Sequence, residues 1–320
     1  MKFSGSLSEA EKEKASYEIV GVPFDGNAFK KGAREGPRAV RKASQRLETF
    51  LWHEKLELSD LLYYDRGDLD LSGFGGFGEF GGFGEFGGFG EFGGFGGLVS
   101  LEGLEGLDLR KKKVFIGGDH SVSFPLVKHF FERGEVERVV VLDAHTDFRD
   151  SYKSNKFSNA CVVRRVAELV GLERVVEIGV RSSSEEEYAL LKDNDKLRIY
   201  DAGTLRREGG RAGEGEGGRS ERGRSKRGGR EEATYLSIDI DVLDPSVAPG
   251  VENPEPCGFS LERLISVVRG VIKSEGVRVV AADVVEVNPR QDNPNGITSL
   301  NAARLVFEIL AGYWERDSRY

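Results

Sequence analysis

Three short segments of the chain concentrate carboxylate and imidazole side chains directly after apolar runs. They are GGDHS at 117–121, DAHTD at 143–147 and SIDIDVLDP at 237–245. Extended backbone repeats every two residues, so alternate side chains of such a segment lie on one face. Because open α/β sheets place ligands at the carboxyl ends of their strands, we expect the three segments to converge. The side chains expected to meet are His120, Asp143, His145, Asp147, Asp239 and Asp241.

This set of side chains suits two divalent cations. Its four carboxylates balance the charge of two such ions, and some must bridge the ions to fill their coordination shells. Oxygen and imidazole donors without thiolates favour a hard ion such as Mn²⁺ over a structural Zn²⁺. A metal ion also lowers the pKa of a coordinated water to about 7, which supplies a nucleophile at neutral pH. The sequence therefore predicts a hydrolytic site with two Mn²⁺ per chain.

Each segment taken alone has a simpler explanation. GGDHS could be a glycine turn, DAHTD a helix-capping Asp beside a packed histidine, and SIDIDVLDP a strand that ends in a capped turn. Together, however, they would gather acids at desolvated strand ends, where the carboxylates repel one another unless cations are present. The combination favours metal binding.

Short β-rich runs alternate along the chain with stretches of helical periodicity. The expected strands are Tyr17–Val22, Leu61–Tyr64, Val114–Ile116, Arg138–Leu142, Val175–Ile178, Lys196–Tyr200, Thr234–Ile238 and Val277–Val285. The expected helices are Gly36–Leu47, Phe124–Arg133, Asn159–Val170, Leu261–Ser274 and Leu300–Trp314. Such alternation is typical of βαβ units with a parallel sheet covered on both faces. We therefore predict an α/β fold, a three-layer α/β/α sandwich with a mainly parallel sheet, formed by residues 1–320 as a single domain.

Two glycine-rich segments interrupt this pattern. Residues 73–97 contain 14 Gly and eight Phe, and residues 209–229 contain nine Gly among Arg and Glu. Glycine disfavours a helix interior by about 1 kcal/mol per residue, so neither segment should form the crossover helix expected there. We interpret both as low-complexity surface insertions. Two alternatives are an RGG-like nucleic-acid arm for 209–229 and an out-of-frame version of an amphipathic helix for 73–97.

Charge and hydropathy disfavour two classes of partner. The formal net charge is −8, so no overall attraction to nucleic acid or to an anionic membrane is expected. The chain begins without an apolar signal segment and contains no apolar run long enough to span a membrane. We therefore expect a cytoplasmic protein that acts on a small molecule and binds neither nucleic acid nor membranes.

In their order along the chain, GGDHS, DAHTD and SIDIDVLDP resemble the signature motifs of the ureohydrolase (arginase/agmatinase) family, especially archaeal agmatinases. GVPFD at 21–25 and KGAREGPRAVRKAS at 31–44 are similar to the family's opening, and VVEVNP at 284–289 and NGITSLNAARL at 295–305 to its close. The resemblance covers most of the chain apart from the glycine-rich segments. It implies the arginase-like sandwich, a homotrimer or hexamer, and hydrolysis of agmatine to putrescine and urea, a step of polyamine biosynthesis.

The resemblance also implies roles for individual residues. The six converging side chains would bind two Mn²⁺, with Asp143 and Asp239 bridging the ions. Asp147 would in addition carry a proton from the attacking water to the leaving amine. Glu286 would accept the substrate guanidinium in a charge-assisted pair. Asp119 and Asp283 would hold the metal-binding side chains in place, as hydrogen-bonded partners of such ligands do.

One position departs from the family pattern. The segment FSNACVVRR at 157–165 resembles an agmatinase segment that carries a proton-shuttling His, but the residue here is Asn159. Asparagine does not titrate, so proton delivery must depend on Asp147 or water, or the substrate differs. Asn159 is then a substrate-contact candidate. A catalytically impaired homologue that still binds metal is a further reading.

Arg149 follows DAHTD by two residues and leaves the substrate open. It could pair with Asp150 or another acid. In the pocket, it would favour a substrate that carries a carboxylate, which points to formiminoglutamate or a guanidino acid.

Overall fold

Eight strands form one sheet within residues 1–71, 102–203 and 230–318, the ranges that the computed structural model describes. Both glycine-rich segments lie outside these ranges, so their interpretation and the single-domain assignment stay predictions. The strands are β1 Tyr17–Gly21, β2 Phe50–Leu51, β3 Leu56–Glu57, β4 Tyr63–Asp68, β5 Lys112–Ile116, β6 Arg138–Leu142, β7 Val175–Ile178, β8 Arg198–Tyr200, β9 Glu232–Asp239 and β10 Val277–Val285. Strands β2 and β3 make a separate antiparallel pair.

The helices cover both faces of this sheet. They are α1 Gly36–Ser44, α2 Glu102–Glu105, α3 Ser123–Phe131, α4 Val162–Val170, α5 Glu185–Leu191, α6 Leu261–Lys273 and α7 Ile297–Asp317. Apolar side chains of α1, α6 and α7 pack in one core, and those of α2 to α5 pack in another. No helix in the described ranges is long and apolar enough to cross a membrane. The predicted three-layer α/β/α sandwich is confirmed.

The order of strands in the sheet is β4-β1-β5-β10-β9-β6-β7-β8, and each neighbouring pair is parallel. Strands β5 and β6 are consecutive in the chain, yet β10 and β9 lie between them. The connections from β5 and from β6 therefore leave the sheet in different directions, and a crevice opens between them at the carboxyl ends of the strands. Open α/β sheets bind their ligands in such crevices. The carboxyl ends of these four central strands are therefore the expected place for a site.

Continuous apolar sequence explains why the central strands are buried on both faces. In β6, Val139 and Val141 pack toward α3 and α4, whereas Val140 and Leu142 pack in the opposite core. Runs of this kind are typical of parallel strands covered on both sides.

Sequence patterns predicted all eight strands of the sheet and most of its helices, and missed the strand pair β2 and β3 and helices α2 and α5. Strands β6, β7 and β10 have the predicted bounds, and helix α4 begins after a 3₁₀ turn, Asn159–Cys161. Helix α5 was not predicted, although Ser184 and Glu187 form a capping box at its start. A Ser followed three residues later by Glu is a helix-start signal that could have revealed it.

Candidate metal centre and substrate pocket

The three acidic segments lie at the carboxyl ends of β5, β6 and β9, as predicted. The turn after β5 requires glycine, because a Cβ at Gly118 would lie 1.6 Å from the carbonyl oxygen of Phe24. This close approach allows the amide of Asp119 to donate to Phe24 at 2.8 Å. Asp119 in turn accepts hydrogen bonds from the amides of Asn27 and Ala28. Asp119 thus holds the turn that carries His120, and these bonds do not involve the imidazole.

Three carboxylates surround the imidazole of His120. Its Nδ1 lies 3.0 Å from Asp143 Oδ2, 3.2 Å from Asp147 Oδ2 and 3.3 Å from Asp239 Oδ2. His120 and Asp143 are fully buried, and Asp147 is partly buried. Donors that meet so closely from three strands could hold one cation.

A second group lies beside the first. His145 Nδ1 is 3.0 Å from Asp241 Oδ2 and 3.6 Å from Asp143 Oδ1. Asp143 therefore offers one oxygen to each group. Its position between the two histidines is what a carboxylate that bridges two cations requires. Asp239 approaches His120 through Oδ2, while its Oδ1 accepts the amide of Asp241.

Two observations indicate that these potential ligand atoms suit divalent cations. Among the described residues, neither His120 Nδ1 nor Asp143 Oδ2 has a hydrogen-bond partner, although both atoms are buried. Burial also raises the pKa of Asp239 well above its ordinary value, and the charges of Asp241 and Asp143 raise it further. Unpartnered buried donors and clustered acids are costly in free energy unless positive charge offsets them.

The imidazole of His120 is oriented by a hydrogen bond at Nε2, the ring nitrogen that does not contact the three carboxylates. Its Nε2 lies 3.1 Å from Ser237 Oγ, which donates to Asp283 Oδ1 at 2.8 Å. When Ser237 gives its one proton to Asp283, the shorter of its two contacts to an acceptor, Nε2 carries the imidazole proton and the lone pair of Nδ1 faces the carboxylates. Asp283 therefore acts on His120 through Ser237, an intermediate that the sequence analysis did not name.

Four of the metal-binding candidates line a cavity of about 270 Å³, as does Glu286. The four are His145, Asp147, Asp239 and Asp241. Glu286 Oε1 accepts from the amide of His120 at 2.8 Å and from Asn159 Nδ2 at 3.2 Å. Its Oε2 is buried and unpartnered within the described ranges. Burial raises the pKa of Glu286 well above its ordinary value, and the charges of Asp119 and Glu252 add to this effect. A guanidinium would satisfy the free oxygen and neutralise the carboxylate.

Two of these site residues adopt left-handed backbone conformations. Asp147 has φ 43° and Glu286 has φ 64°. Residues other than glycine rarely adopt such angles, and those that do cluster at functional sites. The backbone is thus strained where it delivers these carboxylates.

Arg149 lines the same cavity but already has an acidic partner. Its Nε lies 3.6 Å from Oε2 of the buried Glu187, and its guanidinium lies 5.5 Å from the ring centroid of Tyr152. Asp150, the partner suggested by the sequence, instead contacts Arg164 and Arg165.

Sequence reasoning missed several residues of the cavity wall, among them Phe29, Tyr152, Glu187 and Glu252. Glu252 lies in VENPEPCG at 251–258, where the family that the sequence resembles more often has TGTPEPGG, and this difference was the available signal. The other three carry no motif that sets them apart.

Comparisons with known proteins agree with this geometry. Residues 15–312 match the model of the arginase family. An agmatinase from Halalkalibacterium halodurans is 30% identical over 96% of this chain and 95% of its own length. An agmatinase from Pyrococcus horikoshii is 28% identical over 96% of this chain and 95% of its own. The solved proclavaminate amidino hydrolase of Streptomyces clavuligerus superposes with a TM-score of 0.73, 25% identity and coverage of 99% and 98%.

The family match covers nearly the whole chain, and the paired carboxylate and imidazole groups lie where its motifs converge. The chain therefore belongs to the arginase family, the ureohydrolases, and is a hydrolase of amidino carbon–nitrogen bonds.

Proposed function

We propose that the chain hydrolyses the guanidine carbon–nitrogen bond of agmatine with two Mn²⁺ per chain, releasing urea and putrescine. The observation that carries this proposal is the double use of Asp143, which contributes one oxygen to each of two donor groups beside the unpartnered Oε2 of Glu286. His120, Asp143, Asp147 and Asp239 would hold one ion. Asp143, His145, Asp239 and Asp241 would hold the other, so Asp143 and Asp239 would be shared by the two ions. Two divalent cations held there would make a water acidic enough to attack at neutral pH.

The side chains of the chain would position the substrate. Glu286 would accept the guanidinium through Oε2, because its Oε1 is already held by His120 and Asn159. A charge-assisted pair of this kind is directional and would place the guanidinium carbon above the donor groups. Asp147 lies within 3.2 Å of His120 Nδ1 and lines the cavity, so its Oδ2 could accept a proton from the attacking water and return it to the leaving amine.

The charges of the cavity wall favour a substrate with a neutral or cationic tail. Arg149, the only Arg or Lys among the described residues that line the cavity, is paired with Glu187. Glu252 adds a buried acid to the same wall. Together with the two agmatinase relatives, this balance supports agmatine over formiminoglutamate or a guanidino acid.

A substrate screen tests the proposal. The Mn²⁺-loaded protein is assayed for urea with agmatine, arginine and guanidinobutyrate, and for formamide and ammonia with formiminoglutamate. We expect the highest kcat/KM with agmatine. Preference for guanidinobutyrate or formiminoglutamate would instead assign Arg149 to the substrate, and two bound ions without turnover of any compound would identify a catalytically impaired homologue.

The cytoplasmic location and the trimer or hexamer stay predictions. Light scattering coupled to size-exclusion chromatography would measure the oligomer directly.

A further inference from the structure

Glu252 is a buried acid of the cavity wall that neither the metal site nor the proposed chemistry uses. Its residue surface is 3% exposed. Its Oε1 accepts hydrogen bonds from the backbone amides of Phe29 at 3.0 Å and Lys30 at 3.1 Å. Lys30 Nζ also donates to the carbonyl oxygen of Glu252 at 2.7 Å. Glu252 thus ties its own segment to the loop that follows β1.

The second oxygen of Glu252 contacts the substrate pocket through Asn159. Oε2 accepts from Asn159 Nδ2 at 3.3 Å, and the same nitrogen donates to Glu286 Oε1 at 3.2 Å. An amide nitrogen has two hydrogens, so it can serve both carboxylates at once. Asn159 Oδ1 accepts from Ser158 Oγ at 3.1 Å, which sets the orientation of the amide.

This arrangement controls which oxygen of Glu286 is free. The bond from Asn159 and the bond from the His120 amide both end on Oε1, so Oε2 is the oxygen left without a partner in the described part of the chain. Without Asn159 in this orientation, the carboxylate of Glu286 could rotate and share its donors differently. Its acceptor geometry for a cation would then be less defined.

We infer that Glu252 and Asn159 form a coupled pair that positions Glu286 to bind the guanidinium of the substrate. The inference rests on the proposed function, because that function makes Glu286 the guanidinium acceptor. Glu252 acts through Asn159 and is therefore a positioning residue. Asparagine suits this place, since an imidazole between two carboxylates would be held as a cation and would compete with the substrate for Glu286.

A double-mutant cycle in the Mn²⁺-loaded full chain tests the pair. Glu252→Gln keeps the shape of the side chain, but only one of its two terminal atoms can still accept a hydrogen bond. Asn159→Ala removes the amide that donates to both Glu252 and Glu286. Each single change should lower kcat/KM for agmatine by about 10- to 100-fold, the effect of losing a hydrogen bond to a charged group. The kcat/KM of the double variant should be no lower than that of the less active single variant, because both changes interrupt the same series of hydrogen bonds. Losses that multiply in the double variant would overturn the inference.

Two further measurements separate positioning from general damage. All three variants should keep two Mn²⁺ per chain and the wild-type Tm within a few degrees, whereas Glu255→Gln in the same segment should leave kcat/KM unchanged. Loss of metal in the variants, or an equal loss in Glu255→Gln, would show that the segment matters only for folding.

A measurement of guanidinium binding tests this inference independently of the proposed function. If wild-type protein releases urea from none of the guanidines, the proposed function fails, but calorimetric titration with guanidinium ion still reports on Glu286. The wild type should bind guanidinium ion measurably, and the two single variants and the double variant should all weaken that binding to a similar extent. Wild-type affinity in all three variants would overturn the pairing.

Discussion

The two ends of the parallel sheet treat charged side chains in opposite ways. At the amino end, opposite charges pair: Lys113 Nζ lies 3.1 Å from Glu18 Oε2, and Arg138 Nη2 lies 2.8 Å from Glu232 Oε2. At the carboxyl end, acids such as Asp143 gather around two histidines. The first arrangement balances its charges with its own side chains, whereas the second needs cations from solution.

The contrast indicates that the charges at the amino end stabilise the fold, whereas those at the carboxyl end serve the reaction. A buried charge is tolerated when a partner offsets its lost hydration, as at Lys113. A cluster of like charges with left-handed backbone at Asp147 and Glu286 opposes folding and is retained for function. Substitutions at the two ends should therefore fail in different ways.

The largest effect is expected at the carboxyl end. Asp143→Ala should lose both cations and reduce urea release to the uncatalysed background, since Asp143 supplies an oxygen to both groups. Metal content by mass spectrometry and a urea assay measure this. Asp150→Ala, which removes an exposed acid of the same region, should retain two ions per chain. One ion retained by Asp143→Ala would contradict a bridging role.

Glu286→Gln should keep the metals and lose the substrate. Removing one partner of a desolvated charge pair costs about 3–5 kcal/mol, which corresponds to a loss of two to four orders of magnitude in kcat/KM for agmatine. Steady-state kinetics at saturating Mn²⁺ measure it. A loss below tenfold would mean that another group binds the guanidinium.

At the amino end, the same kind of change should affect stability and leave catalysis intact. Lys113→Met leaves the buried Glu18 with the partly exposed Arg66 as its cation, which should lower the free energy of unfolding by up to about 3 kcal/mol. Adding Glu18→Gln should restore much of that loss, because no buried charge then remains at this place and Arg66 can be hydrated. Denaturant unfolding measures both variants, and kcat of the folded protein should match wild type. A fall in metal content would break the proposed contrast between the two ends.

The smallest effect concerns His129, which packs in α3 near Lys113. Burial lowers its pKa to about 4, with the charges of Arg133 and Lys113 contributing, from an ordinary value of 6.5. The folded state thus resists protonation, so stability from this group is complete above pH 6.5 and declines as the pH falls toward 4. His129→Leu should therefore gain about 2 kcal/mol relative to wild type between pH 7 and pH 5. Equal pH dependence of unfolding in both proteins would contradict this.

The sequence predicted the metal centre better than the pocket around it, for a physical reason. His120, Asp143 and Asp239 lie at or shortly after the carboxyl ends of β5, β6 and β9. The carboxyl ends of parallel strands lie along one edge of the sheet, where such residues can meet. Glu252 and Glu187 reach the cavity from loops and a short helix, whose paths depend on contacts distant in sequence. The serine between Asp283 and His120 was likewise invisible, because its role follows from the packing of adjacent strands.

The position of β10 affects how the protein can be made in the cell. This strand is the last of the sheet to be synthesised, yet it lies between β5 and β9. A nascent or prematurely terminated chain that ends before Val277 therefore has two unpaired strand edges in the middle of its sheet and no Glu286. Such edges are templates for pairing with other chains. Truncated products of this gene should thus aggregate and be degraded, and they should not persist as slow enzymes.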